Sequence, residues 1–181
     1  MITHSEFVRA QACAAEMIRN AGLVIRPEEA ESIEVADFGL GNLGAEGAQI
    51  LTLVQTDRIS CKVLALFSKQ TEPEHWHVSV GDDPGKEETV RVLWGKLDFF
   101  TPGEDNTDRS LIPSGKEEHY TCRNHTRMLP GDQLTLDPGV KHWFRAGADG
   151  AVLASISTVA RDDTDRFTDP NVVRKTVVDE E

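Results

Sequence analysis

Cysteine is scarce in this chain. Cys13, Cys61 and Cys122 are the only three among 181 residues, far apart and in no paired motif. An odd, scattered set argues against a disulfide framework and for a reducing cytoplasm, with the thiols expected as buried small hydrophobes. Basic charge is short as well. With 19 Lys and Arg against 31 Asp and Glu, the formal charge is −12, which argues against nucleic acid or an anionic membrane as partner. No apolar run approaches the roughly 20 residues needed to cross a bilayer. The opening Met1-Ile2-Thr3-His4-Ser5-Glu6 has no basic segment leading into an apolar one, so no secretory signal is expected. Internal repeats and low-complexity tracts are also missing. The acidic balance, spread along the chain, suits a soluble enzyme with a neutral substrate.

What is present reads as one domain in three stretches. Hydrophobic content of 39% and charged content of 28% are ordinary for a globular protein. Over 1–32, Thr3 and Glu6 have capping-box spacing, and Phe7, Ala10, Ala14, Met17 and Ile18 recur at helical spacing up to Asn20-Ala21-Gly22. Pro27 can open a second short helix. This stretch is expected as a helical arm. From 33 to 158 the pattern turns to short strands, at 50–54, 59–67, 89–94, 96–100, 120–122, 133–136, 142–146 and 151–157, with Pro- and Gly-containing turns between most of them. That spacing predicts an all-β barrel or sandwich. Residues 104–118 are expected as an exposed loop. Residues 159–181 are expected to pack on the barrel or on a partner subunit.

The chemistry concentrates in Glu74-His75-Trp76-His77, Lys86-Glu87-Glu88 and the isolated His142. In a strand, residues two apart share a face, so His75 and His77 project together while Trp76 turns away. By the same alternation Lys86 shares a face with Glu88, and Phe144 shares one with His142. Two adjacent imidazoles are half of a first-row metal site, and Glu88 and His142 are of the right type to complete it. Three imidazoles and one carboxylate leave a divalent ion net positive, and on an octahedral ion they leave two adjacent positions open. Manganese or iron suits that need better than tetrahedral zinc, while ligand type alone leaves zinc, cobalt and nickel open.

His75-x-His77, Glu88-x6-Gly95 and Gly139-x2-His142 resemble the two motifs of the cupin superfamily. The chain departs from them in its longer insertion between His77 and Glu88, in Asp137 at a proline position, and in Ala146 at an asparagine position. The resemblance implies a jelly-roll-like cupin β-barrel, with His75, His77, Glu88 and His142 as metal ligands. Over residues 34–174 the chain further resembles the D-lyxose isomerase family, above all in Lys86-Glu87-Glu88-Thr89-Val90-Arg91-Val92-Leu93-Trp94-Gly95 and His142-Trp143-Phe144-Arg145-Ala146-Gly147. This implies a manganese-dependent aldose–ketose isomerase, acting on lyxose and xylulose and often on mannose and fructose, and expected as a homodimer with a monosaccharide as its small-molecule partner.

An open-chain sugar can chelate a cation through its carbonyl and neighbouring hydroxyl, and a base then moves a proton between C1 and C2. Lys86 is the candidate catalytic residue, as electrostatic stabiliser or proton donor. Phe144 and Glu74 are candidate substrate-binding residues. In the family pattern an acidic residue precedes the last Ser-Thr pair of the barrel and serves as base; here Ser155 stands in that place. Glu74, Glu118 and Asp162 are candidate replacements, and an iron-dependent dioxygenase or a non-catalytic sugar- or metal-binding cupin are the rival readings. Trp76 and Trp143 are expected in packing or an interface, His119 and His125 as structural or surface residues, and Asp162, Asp163 and Asp165 as a solvated or capping run.

Overall fold

The computed structural model describes residues 1–179. Strand β1 (Ile2–Thr3) leads into helix α1 (His4–Asn20), and the reciprocal cap forms as its sequence predicts. The Glu6 N–H donates to Thr3 Oγ1, and the Thr3 N–H donates to the Glu6 carboxylate. Two donors that a helix start leaves free are thus satisfied. Helix α2 (Pro27–Glu31) follows, with proline in its first turn. The apolar stripe of α1, centred on Ala14 and Ile18, joins Ile25 and Ile33 in covering Leu51, Val63, Ala65 and Val152. The helical arm therefore lies against the outside of the sheet.

Strands β2 (Glu34–Ala36), β3 (Ala48–Gln55), β4 (Ile59–Leu66), β5 (Thr71–Trp76), β6 (Glu88–Thr101), β7 (Asn124–Met128), β8 (Gln133–Leu136), β9 (His142–Thr158) and β10 (Arg166–Phe167) form one curled sheet, and β11 (Val178–Asp179) pairs in parallel with β1. Its order is β10-β5-β9-β4-β3-β2, and β9 also pairs with β6, which in turn pairs with β7 and β8. The long strands β6 and β9 close the barrel. The first part of β9 lies beside β5 and its later part beside β4, while β6 accompanies both. Ile50, Leu64, Val90, Val92, Leu97, Phe99, Phe144 and Leu153 fill the interior.

Two pairs of expected strands are each one bent strand. Stretches 89–94 and 96–100 belong to β6, and 142–146 and 151–157 to β9. The bend falls at Gly95, where φ is 78° and an added Cβ would lie 2.2 Å from the Gly150 carbonyl oxygen. Glycine there permits close approach of two backbones while pairing resumes on both sides. The strand expected at 120–122 does not form. The Cys122 N–H donates to the Glu74 carboxylate, and the ladder partner of β6 begins later, at Asn124. The thiols also differ from expectation: all three are free, but Cys13 is exposed and only Cys122 is buried. No helix among the described residues is long and apolar enough to cross a membrane.

Candidate metal centre and sugar site

The barrel register brings the expected ligands together. His75 on β5 stands directly opposite His142 on β9, and His77 follows at the end of β5. Their ring nitrogens lie within 4.8 Å of one another, and all three residues are buried. Glu88 enters from the start of β6, its Oε2 lying 3.1 Å from His77 Nε2 and 3.8 Å from His142 Nε2.

The other nitrogen of each ring is already engaged. His75 Nδ1–H donates to the Pro73 carbonyl at 2.8 Å and His142 Nδ1–H to the Val140 carbonyl at 2.9 Å. His77 Nδ1 meets Asp165 Oδ1 at 2.6 Å. Each Nε2 is thereby left as the inward-facing lone pair, the outer arrangement that orients imidazole ligands. His142 Nε2 is buried with no hydrogen-bond partner. A buried polar atom without a partner is costly. The cluster fits a metal ion on that ground and on the chemistry of its donors.

Electrostatics around the cluster favours deprotonated ligands. Burial, reinforced by the two neighbouring imidazoles, holds His75 well below its usual range. His142 falls to about 4, through burial and the proximity of His77 against the opposing pull of Glu88. For His77, burial acts downward but is outweighed by the Asp165 and Glu88 hydrogen bonds, which raise it. Burial also opposes charge on Glu88, yet Lys86 and the His77 hydrogen bond hold its carboxyl well below the ordinary carboxylate range.

Lys86 Nζ lies 3.1 Å from Glu88 Oε1, with the Lys86 side chain 9% exposed. Burial lowers its affinity for a proton, but Glu88, Asp165 and Asp162 more than compensate, so the ammonium is retained. The Ser155 hydroxyl donates to the same Glu88 Oε1. Lys86, Glu88, Ser155 and Phe144 all face one cavity with His75 and His77.

Glu74 does not reach this cavity. Its carboxylate points to the opposite face, where it accepts from the Cys122 N–H and from the hydroxyls of Thr121 and Thr168. Strand alternation from His75 places it there. Glu118 also lies elsewhere, with an 82% exposed side chain. Trp76 turns outward beneath the Lys141 ammonium, and Trp143 is buried and stacked on Phe100. His119 and His125 pair with Asp169 and Asp98 away from the metal cluster.

Other cavity residues escaped the sequence reading. Asp162 and Asp165 belong to the site rather than to a solvated run, Asp162 pairing with Lys62 and Asp165 with His77. Their stretch, with Phe167 on β10, forms one wall, so the C-terminal extension helps build the cavity. An orienting carboxylate is a general need of ligand histidines and is the signal that would have pointed to Asp165.

Glu72 is the larger surprise. Glu72 pairs with Phe144 and His75 with His142, so the three-residue step on β5 faces a two-residue step on β9. This one-residue bulge, with Pro73 inside it, turns Glu72 to the same face as His75. Burial and the nearby Glu88 charge raise its carboxyl to about 7.

The D-lyxose isomerase family model matches residues 25–181. The chain is 46% identical over 176 residues to the D-lyxose ketol-isomerase of Cohnella laeviribosi, covering 97% of each chain. It is 42% identical over 175 residues to the D-lyxose/D-mannose isomerase of Thermosediminibacter oceani, covering 96% of this chain and 97% of that one. Among solved structures, the fold is similar to that of L-ribose isomerase from Acinetobacter sp. DL28 in complex with L-ribose, with a TM-score of 0.84 at 15% identity over 98% of each chain. Ligand-free L-ribose isomerase of Cellulomonas parahominis gives 0.78 at 17% identity over 94% of each. The barrel and the extent of these matches lead to one conclusion: the chain belongs to the D-lyxose isomerase family and is an aldose–ketose isomerase.

Proposed function

We propose that this protein interconverts D-lyxose and D-xylulose, with D-mannose and D-fructose as a further pair, using a divalent metal held by His75, His77, Glu88 and His142. The observation that carries the reading is the set of three inward-facing imidazole Nε2 atoms beside Glu88, backed by a buried cation at Lys86. Manganese is the proposed native ion, with iron, cobalt, nickel and zinc as candidates for substitution. A divalent ion there would supply positive charge to the carbonyl and adjacent hydroxyl oxygens of an open-chain sugar, acidifying the C–H between them.

The chain's own residues divide the remaining work. Lys86 keeps its ammonium and faces the oxygens on which negative charge develops, giving a proton to the C1 oxygen and recovering one from the C2 hydroxyl. Phe144, stacked on Phe99, is an apolar wall that limits water. Ser155 donates to Glu88 and so orients a ligand, leaving the carbon-bound proton to another group. The protein is assigned to the reducing cytoplasm on its three free thiols. A homodimer is assigned on the exposed apolar residues Val54, Ile59 and Ile156 of neighbouring strands.

The test is incubation of manganese-loaded protein with a panel of aldoses in heavy water. Ketose carrying deuterium at C1 or C2 supports an enediol route. Oxygen consumption without ketose would favour a dioxygenase, and saturable sugar binding without turnover would favour a binding protein.

A further inference from the structure

We infer that Glu72 is the general base that moves the carbon-bound proton between C1 and C2, filling the role that Ser155 cannot. This rests on the isomerase reading above. Four acids line the cavity: Glu72, Glu88, Asp162 and Asp165. Three of them are occupied. Glu88 accepts from Lys86, His77 and Ser155; Asp165 holds His77; Asp162 holds Lys62, with Arg174 at 3.8 Å. Glu72 is the exception. Its Oε2 is buried without a hydrogen-bond partner, and its Oε1 comes no closer than 3.8 Å to His75 Nε2.

A carboxylate oxygen that is buried, unpartnered and aimed into a substrate cavity is an acceptor waiting for a donor. The bulge at Pro73 is what puts it there, since strict alternation would turn Glu72 outward with Glu74. A serine hydroxyl near neutral pH has no comparable affinity for a proton.

The step balances without a further reactant. Glu72 takes the proton from C2; the C2–H electron pair becomes the C1=C2 bond, and the carbonyl π pair moves to the C1 oxygen. The hydroxyl proton passes from the C2 oxygen to the C1 oxygen. Glu72 then returns its proton to C1 as the C2 carbonyl forms. One group serves both carbons on one face, so the proton exchanges with solvent only while Glu72 holds it.

The test compares Glu72→Gln with wild type, both loaded with manganese and given D-lyxose in heavy water. Gln keeps the shape, so bound metal and sugar affinity are expected within about threefold of wild type. Ketose formation is expected to fall by about 10²-fold or more, the span of general-base effects, together with deuterium entry at both carbons. Glu72→Asp is expected to recover part of the rate. Wild-type turnover with Glu72→Gln within tenfold of it would overturn the assignment. So would a loss of bound metal that accounts for the lost rate, since Glu72 would then be a ligand. A wild type inactive on every sugar would instead sink the isomerase reading itself.

Discussion

The hydrogen bond from His77 to Asp165 offers a graded test of how this site holds its metal. It is 2.6 Å long, and the Asp165 side chain is only 10% exposed. A short bond to a charged acceptor is about twice as strong as a neutral one. Asp165→Asn keeps an acceptor and removes the charge, so a loss of about 1–1.5 kcal/mol, near tenfold in metal affinity, is expected. Asp165→Ala also leaves a buried N–H unpaired, which brings the expected loss to about 100-fold. Competition between the protein and a fluorescent chelator for manganese reads both values. Asp163→Asn, on an exposed neighbour, is the control and should leave affinity unchanged. If both Asp165 variants bind manganese within threefold of wild type, the outer carboxylate does not orient His77 and the reasoning fails.

Removing a ligand is a harsher perturbation. His142→Ala should strip most bound metal, read by elemental analysis, and full retention would contradict the ligand set. Lys86→Met should lower kcat by about 10²-fold while manganese stays bound, because only charge at the sugar oxygens is lost; an unchanged kcat would remove Lys86 from the chemistry. Burial opposes the Asp162 charge, but Lys62 more than offsets it and lowers the carboxyl below its ordinary 3.8. The stabilisation from this pair is therefore present above 3.8 and lost as pH falls below it. Asp162→Asn should cost on the order of 1–3 kcal/mol at neutral pH in urea unfolding, with the gap to wild type closing in acid. A gap that widens in acid would contradict the pairing.

Much of the site was legible in the sequence because it obeys local rules. The alternation of His75, Trp76 and His77 needs only a strand, and Lys86, Glu88 and the turn into His142 stand in recognisable order. The barrel itself followed from the rhythm of strands and turns, although Gly95 read as a break and proved to be a bend that two backbones share. What stayed hidden depends on departures from period two or on distance along the chain. Glu72 reaches the cavity through one extra residue at Pro73, which shifts the alternation between it and His75. Asp165 meets His77 across 88 residues, by way of a C-terminal segment whose only sequence sign is a run of acids. Glu74 shows the converse, since a carboxylate next to a ligand histidine is turned away by the very alternation that pairs the histidines.

The most direct measurement is a titration of metal-free protein with manganese in the presence of D-lyxose, with bound metal and D-xylulose formation followed in the same samples. The account requires ketose formation to rise in proportion to bound metal and to saturate at one equivalent per chain, with the response lost in His142→Ala. Isomerisation without metal, or full occupancy without ketose from any aldose, would contradict it.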